Sequence, residues 1–268
     1  MTYEDVLKKA KELMAPNCRV CPDCDGRVCK GEIPGLGGVG SGNSFTIARE
    51  YLKSIRVLLD LVYEPVEEID TSVELFGRKF DVPFSFAPLA GLKVNYNGYF
   101  EPDDYIRTIV EGMNECGSFA FTPDGAADEM YFNSLPVIKA AGSAAVPTLK
   151  PWDEEAFMKR VRAAEDIDIM ALATDIDSCG LSILKMVGKS VRAKSAATIK
   201  KIVESTKVPF IIKGIMTAES AIKCAEAGCY GIVVSNHGGR VLEDSPAPAS
   251  MLPEIKKAVG DSIKIFVD

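Results

Sequence analysis

From about Asp81 onward, short apolar runs alternate with longer stretches in which apolar positions recur every three or four residues. The runs are 82–88 (VPFSFAP), 117–123 (GSFAFTP), 144–150 (AAVPTLK), 167–177 (IDIMALATDID), 208–215 (VPFIIKGI), 230–238 (YGIVVSNHG) and 263–268 (IKIFVD). Several are apolar nearly throughout, as strands covered on both faces must be, and the stretches between them, such as DEEAFMKRVRAAED and TAESAIKCAEAG, have helical spacing. Parallel strands joined by helices follow. Polar or conformationally special residues pile up at the ends of the runs: Pro88, Thr122, Lys150, Asp175, Lys213 and His237. That placement predicts an α/β fold, a (β/α)8 TIM barrel, whose active site is built where strands end and loops begin. A doubly wound sheet is the alternative that periodicity leaves open. The seventh run ends at Asp268, so the expectation is a barrel truncated after its seventh strand, a fragment or a cleaved product.

Upstream, residues 1–80 read as an N-terminal helical cap packed on the barrel of residues 81–268, because no long polar linker separates the two. The cap holds a helix over Met1–Ala15, a second near Thr46–Leu61, and VELFGRKFDVP, whose Phe-Gly-Arg has the look of a hairpin turn. Gly35, Gly37 and Gly40 spell G-x-G-x-x-G, but a dinucleotide fingerprint follows a buried strand and KGEIP is not one. A flexible loop is expected there.

Composition narrows the partners. The 268 residues are 47% hydrophobic and 26% charged with a net charge of -7, enough for a sizeable core and wrong in sign for nucleic acid or an anionic membrane. Residues 1–15 lack the apolar core of a signal peptide, and no apolar run approaches the roughly 18 residues of a membrane helix. A cytoplasmic protein acting on small molecules is expected, and a homo-oligomer stays open.

His237 is the chain's single histidine. At the mouth of a barrel strand, an imidazole that titrates near neutrality can take and return a proton. Arg240, three residues on, offers a planar fork of donors suited to a carboxylate, and the two together suit a 2-hydroxy acid. Lys213 closes its strand with a cation that would stabilise a cofactor ring turning anionic on reduction.

At these residues the sequence resembles the FMN-dependent 2-hydroxy-acid oxidase and dehydrogenase family of glycolate oxidase, lactate oxidase and flavocytochrome b2. The resemblance runs from about Val73 to Asp268, is most specific at Ser-Asn-His-Gly-Gly-Arg (235–240), and is supported by FDVPFSFAPLAG and IMALATDID. It implies an FMN enzyme oxidising a small 2-hydroxy acid to the 2-oxo acid. It assigns His237 as the base, Asp175 as the aspartate orienting it, and Arg240 as the carboxylate clamp. It also places Ala87, Pro88, Leu89, Ala90, Thr122, Lys213, Ser235 and Asp268 around the flavin. Departures accompany the match. Pro147 and Leu149 stand where the family has a glutamine and a tyrosine, Ala173 where it has a threonine, and neither the second substrate arginine nor the N-terminal substrate tyrosine has a counterpart. Neither substrate identity nor electron acceptor carries over.

Cys18, Cys21, Cys24 and Cys29 give C-x2-C-x2-C-x4-C, a spacing that can hold zinc or an iron–sulfur cluster and that the named relatives lack. A partly disordered, thiol-rich cap is the alternative. An iron–sulfur centre would favour a dehydrogenase passing single electrons onward. Two further alternatives are a flavin- or metal-binding barrel without hydroxy-acid turnover, and a related FMN barrel such as isopentenyl diphosphate isomerase. The loops after strands seven and eight commonly grip a cofactor phosphate, so this form is expected to bind FMN weakly or not at all and to expose apolar surface where an eighth strand would pair.

Overall fold

The computed structural model describes residues 1–32, 36–64, 66–189 and 191–268. The cap opens with α1 (Tyr3–Met14), started by a reciprocal Thr2–Asp5 capping box, and α2 (Asn43–Ser54). A two-stranded hairpin follows, β1 (Val73–Leu75) against antiparallel β2 (Arg78–Phe80). Phe76 and Gly77 between them have φ of 55° and 70°, the left-handed pair that a two-residue turn matching strand twist requires.

The second helix is shorter than its pattern predicts. It ends at Ser54 rather than Leu61, with Ile55 already in extended backbone. Helical propensity needs a packed face to sustain it, and residues 55–64 lie exposed without one.

The remaining strands are β3 (Ser85–Phe86), β4 (Phe119–Pro123), β5 (Ala145–Leu149), β6 (Leu172–Asp175), β7 (Phe210–Ile215), β8 (Gly231–Val234) and β9 (Lys264–Val267). They form one seven-stranded parallel sheet in chain order, with β3 and β9 at its edges. Each falls within one of the seven apolar runs. Between them lie α3 (Leu92–Tyr96), α4 (Pro102–Glu115), α5 (Glu129–Phe132), α6 (Ser134–Ala140), α7 (Glu154–Glu165), α8 (Ser182–Met186), α9 (Ala196–Ser205), α10 (Ala218–Glu226) and α11 (Pro248–Val259). Local chemistry starts them: Asp153, Ser195 and Thr217 accept from backbone amides of α7, α9 and α10, and Pro102 and Pro248 occupy first turns. Among the described residues no helix is long and apolar enough to cross a membrane.

Two cores result from the period-two alternation of strand side chains. One face of the sheet packs on the helices through residues such as Leu149, Leu172, Ile212 and Ile232. The other, through Phe119, Phe121, Val146, Ala173, Ile211 and Val233, closes on itself together with the hairpin residues Leu75 and Phe80. Phe76 leads this closure: it contacts Phe119, Tyr230 and Phe266, and its amide donates to the Tyr230 hydroxyl at 2.9 Å. The hairpin thus plugs the end of the barrel opposite the strand termini.

Candidate functional site

Inward-facing positions at the C-terminal ends of β5 to β8 bring the polar residues together. Residue parity decides which ones. On β6, Ala173 faces inward and Leu172 outward, so Asp175 and, two residues on, Asp177 project into the mouth. The chain leaves β6 in a 3-10 turn (Ile176–Gly180), which lifts Asp177 above the strand end. Its Oδ1 lies 2.9 Å from Nδ1 of His237. Asp175 does not orient the histidine as expected. Its carboxylate is taken by the ammonium of Lys150, with both side chains buried, and the next aspartate on the same face reaches the imidazole instead.

Close approach needs a glycine opposite. Gly214, at φ 98°, sits where the β7–β8 register shifts, and a Cβ there would come 2.5 Å from the Asp177 carboxyl carbon. Burial raises the Asp177 carboxyl, but His237, Lys213 and Lys150 outweigh it and hold the group below the ordinary aspartate range.

His237 occupies left-handed backbone at φ 59°, followed by Gly238 at 64° and Gly239 at 73°. Such a conformation is strained for a non-glycine residue and needs its surroundings to hold it. Asn236 Oδ1 accepts from the Gly239 amide at 3.1 Å, Ser235 Oγ accepts from the His237 amide at 3.1 Å, and Asn236 Nδ2 donates to the Pro246 carbonyl at 3.2 Å. The glycine-rich cap segment clasps the same loop from outside. Val39 donates to the Gly239 carbonyl at 2.9 Å, Ser41 to Glu243 at 2.8 Å, and Ser44 Oγ bridges the Leu242 carbonyl and the Ser245 amide. Gly37 and Gly40 are therefore parts of a clasp, and Gly35 lies outside the described residues.

Lys213 donates to Ser235 Oγ and pairs with Asp268 Oδ2 at 2.6 Å. It borders a cavity of about 260 Å³ between the two edge strands, whose walls include Ala87, Pro88, Phe121, Val233, Phe266 and Asp268. Leu89 and Ala90 continue the loop beside it, where Tyr105 donates to the Leu89 carbonyl at 3.0 Å. Thr122 is misplaced by the sequence reading: it shares the helix-packed face of β4 with Ala120, while Phe121 faces the mouth. Apolar walls, a loop of exposed backbone and one cation suit the ring of a flavin. Among the described residues lining this cavity Lys213 is the only cation, so the phosphate end finds no partner of its own there. A larger cavity of about 670 Å³ lies outside the barrel between α7 and α9 and contains no residue of the mouth.

Arg240 approaches from the loop after His237, where its guanidinium donates to Asn95 Oδ1 at 3.2 Å. Asn95, on α3, also donates to the Ala90 carbonyl. One buried amide therefore ties the arginine to the loop beside the cavity, a connection that no sequence signal announced.

Alternation also revises strand β5. Ala145, Pro147 and Leu149 share the parity of the helix-packed face, so the residues at its end that face the mouth are Thr148 and Lys150. Pro147 and Leu149, the positions matched to the family's glutamine and tyrosine, thus turn toward the helices.

The four cap cysteines form a loose group, in which Cys24 and Cys29 each lie near enough to Cys18 to feel its charge. Cys18, Cys21, Cys24 and Cys29 are free, and among the described residues no three of their sulfurs come within 4.8 Å of one another.

Comparison with known proteins agrees with the geometry. A family model described as FMN-dependent dehydrogenase matches residues 181–268. The L-lactate oxidase of Lactobacillus jensenii is 43% identical over 89 residues, 33% of this chain and 22% of that protein's length. The 4-hydroxymandelate oxidase of Amycolatopsis orientalis is 25% identical over 291 residues, 90% of this chain and 76% of its own. A solved structure of a mandelate oxidase superposes with a TM-score of 0.78 at 23% identity, covering 100% of this chain and 78% of that one, which shows the barrel fold.

Proposed function

Because the chain belongs to the FMN-dependent 2-hydroxy-acid oxidase and dehydrogenase family, we propose that it is an oxidoreductase converting a small 2-hydroxy acid to the 2-oxo acid. The observation that carries this is the 2.9 Å contact of His237 Nδ1 with Asp177, made three residues before Arg240. With Asp177 accepting from Nδ1–H, the other ring nitrogen keeps its lone pair and can take a proton from the substrate's carbinol. Asp177 stabilises the imidazolium that results. Arg240 binds the substrate carboxylate, its fork held by Asn95. FMN, when bound, accepts the hydride equivalent. Ala87 to Ala90 and Lys213 would hold its ring, and Ser235 and Asp268 steady the Lys213 ammonium.

The electron acceptor and the acid's side chain are left unassigned. Eight free thiols fit a reducing compartment, which supports the cytoplasm. Zinc or an iron–sulfur cluster at Cys18, Cys21, Cys24 and Cys29 has spacing in its favour and needs those segments to draw together. Metal analysis of wild type against Cys18→Ser/Cys21→Ser tests it.

The oxidation is tested by anaerobic bleaching of FMN-reconstituted protein with a panel of 2-hydroxy acids. Bleaching by at least one acid, abolished in His237→Ala, is expected. FMN that no acid bleaches, in wild type and variant alike, overturns the assignment.

A further inference from the structure

Residues 18–32 of the cap carry the four-cysteine spacing, which the proposed oxidation leaves unused. Two turns of this loop are alike. In Cys18–Arg19–Val20 and in Cys24–Asp25–Gly26 the third residue has left-handed backbone, at φ 47° and 78°, and its amide is directed at the sulfur of the first. The Val20 amide donates to Cys18 Sγ at 3.4 Å. A β-branched residue rarely holds a positive φ, so this turn stores strain that its surroundings must sustain. Amides directed at sulfur favour the thiolate, the form in which cysteine binds a metal. The Cys29 amide donates to the Gly26 carbonyl at 3.3 Å, which ties the last cysteine to the second turn. Arg19 closes the loop on Glu32 through hydrogen bonds of 3.0 and 2.8 Å.

The same loop is attached to the helix beneath the clasp. Asp23 pairs with Arg49 and Lys53 of α2, and Thr46 Oγ1 donates to the Asp25 carbonyl at 3.4 Å. Gly26 lies so close to the Phe45 ring that a Cβ would strike it, and the Phe45 amide nitrogen lies against Gly239. One residue therefore separates the second cysteine turn from the loop that holds His237. Gly31 also donates to the Gly38 carbonyl at 3.0 Å, next to the Val39 amide that reaches Gly239.

We propose that Cys18, Cys21, Cys24 and Cys29 hold a thiophilic metal centre, zinc or an iron–sulfur cluster, which fastens the glycine clasp onto the His237 loop through Phe45. The inference rests on these cysteines taking metal and adds what the metal does. Bound thiolates would draw the two turns together and lock Gly26 against Phe45. Without metal the loop keeps its ion pairs, but Arg19–Glu32 and Asp23 with Arg49 and Lys53 are exposed and contribute little.

The test uses the full chain, prepared anaerobically and offered either Zn2+ or ferrous iron with sulfide. Uptake of about one zinc or about four irons per chain is expected, and only the iron form should absorb in the visible. Alkylation with and without chelator locates the metal: Cys18, Cys21, Cys24 and Cys29 should be shielded in the loaded protein and open in the stripped one. Hydrogen exchange then reads the clasp. Loading should slow exchange over residues 39–45 and 237–245 by at least about tenfold and leave β4 to β8 unchanged. Phe45→Ala should keep its metal and lose that difference; if this variant does not fold, the wild-type comparison decides alone. Protein that takes up neither metal, or holds one without shielding these cysteines, overturns the proposal together with the metal reading behind it. Metal held at the cysteines with exchange over 39–45 and 237–245 unchanged overturns the fastening alone, as does a full-sized metal effect in Phe45→Ala.

Discussion

The rim of the barrel and residues 55–64 of the cap invert the usual rule of burial. At the rim, Lys150, Asp175 and Lys213 are 6%, 2% and 5% exposed, whereas Val57, Leu58, Leu59 and Val62 in the cap are 97%, 88%, 86% and 94% exposed. Charged groups are inside and aliphatic ones outside. The difference lies in partners: each rim charge meets one of opposite sign within the sheet, while the cap stretch faces no other element. Hydrophobicity sets what a segment would gain by burial, and only a complementary surface delivers it.

That contrast breaks first at the acid partner of the histidine. Asp177→Ala should slow flavin reduction by about 10² to 10⁴-fold in single-turnover measurements, because the imidazole loses both its orientation and its counter-charge. A loss under tenfold would mean that the rim's pairing is structural only.

Next comes the clasp. Gly239→Val places a Cβ 2.7 Å from the Phe45 amide nitrogen at a φ of 73°, and should cost about 1–3 kcal/mol in urea unfolding through the backbone conformation alone. Wild-type stability in this variant would show the cap to be only loosely applied.

A third measurement uses acid. The folded Asp177 carboxyl binds its proton less readily than in the unfolded chain. Its contribution is therefore complete above the ordinary aspartate value of about 3.9 and is lost as pH falls through the lower folded value. Between neutral pH and pH 3, wild type should lose more unfolding free energy than Asp177→Asn. Equal losses would remove Asp177 as the acid-sensitive group.

The smallest effect is expected where apolar residues are outermost. Leu58→Ser should change stability by no more than about 0.5 kcal/mol, as for other exposed positions. A larger destabilisation would reveal a partner surface for this stretch.

Much of this was readable from the residues. Apolar runs located every strand of the parallel sheet, since a strand covered on both faces admits few polar positions. His237 and Lys213 were legible as candidates because a strand end is a definite place in a barrel, and Arg240 because it follows His237 by three residues. Asp177 was missed for a physical reason: in Asp-Ile-Asp both acids lie on one face, and only the 3-10 turn decides which one reaches the imidazole. At the end of β5 the period of two turns Pro147 and Leu149 toward the helices and leaves Lys150, already singled out at its run's end, facing the mouth. Thr122 failed by the same parity. Asn95 left no trace, because its role depends on a five-residue helix folding back over the mouth.

The hairpin plug has a consequence for traffic. With Phe76 wedged among Phe119, Tyr230 and Phe266, the far end of the barrel is filled by aromatic rings. Access to the strand ends is then from the rim or through the side left between β3 and β9, and under the proposed reaction the rate at which those openings clear would set a ceiling on turnover however fast the chemistry within.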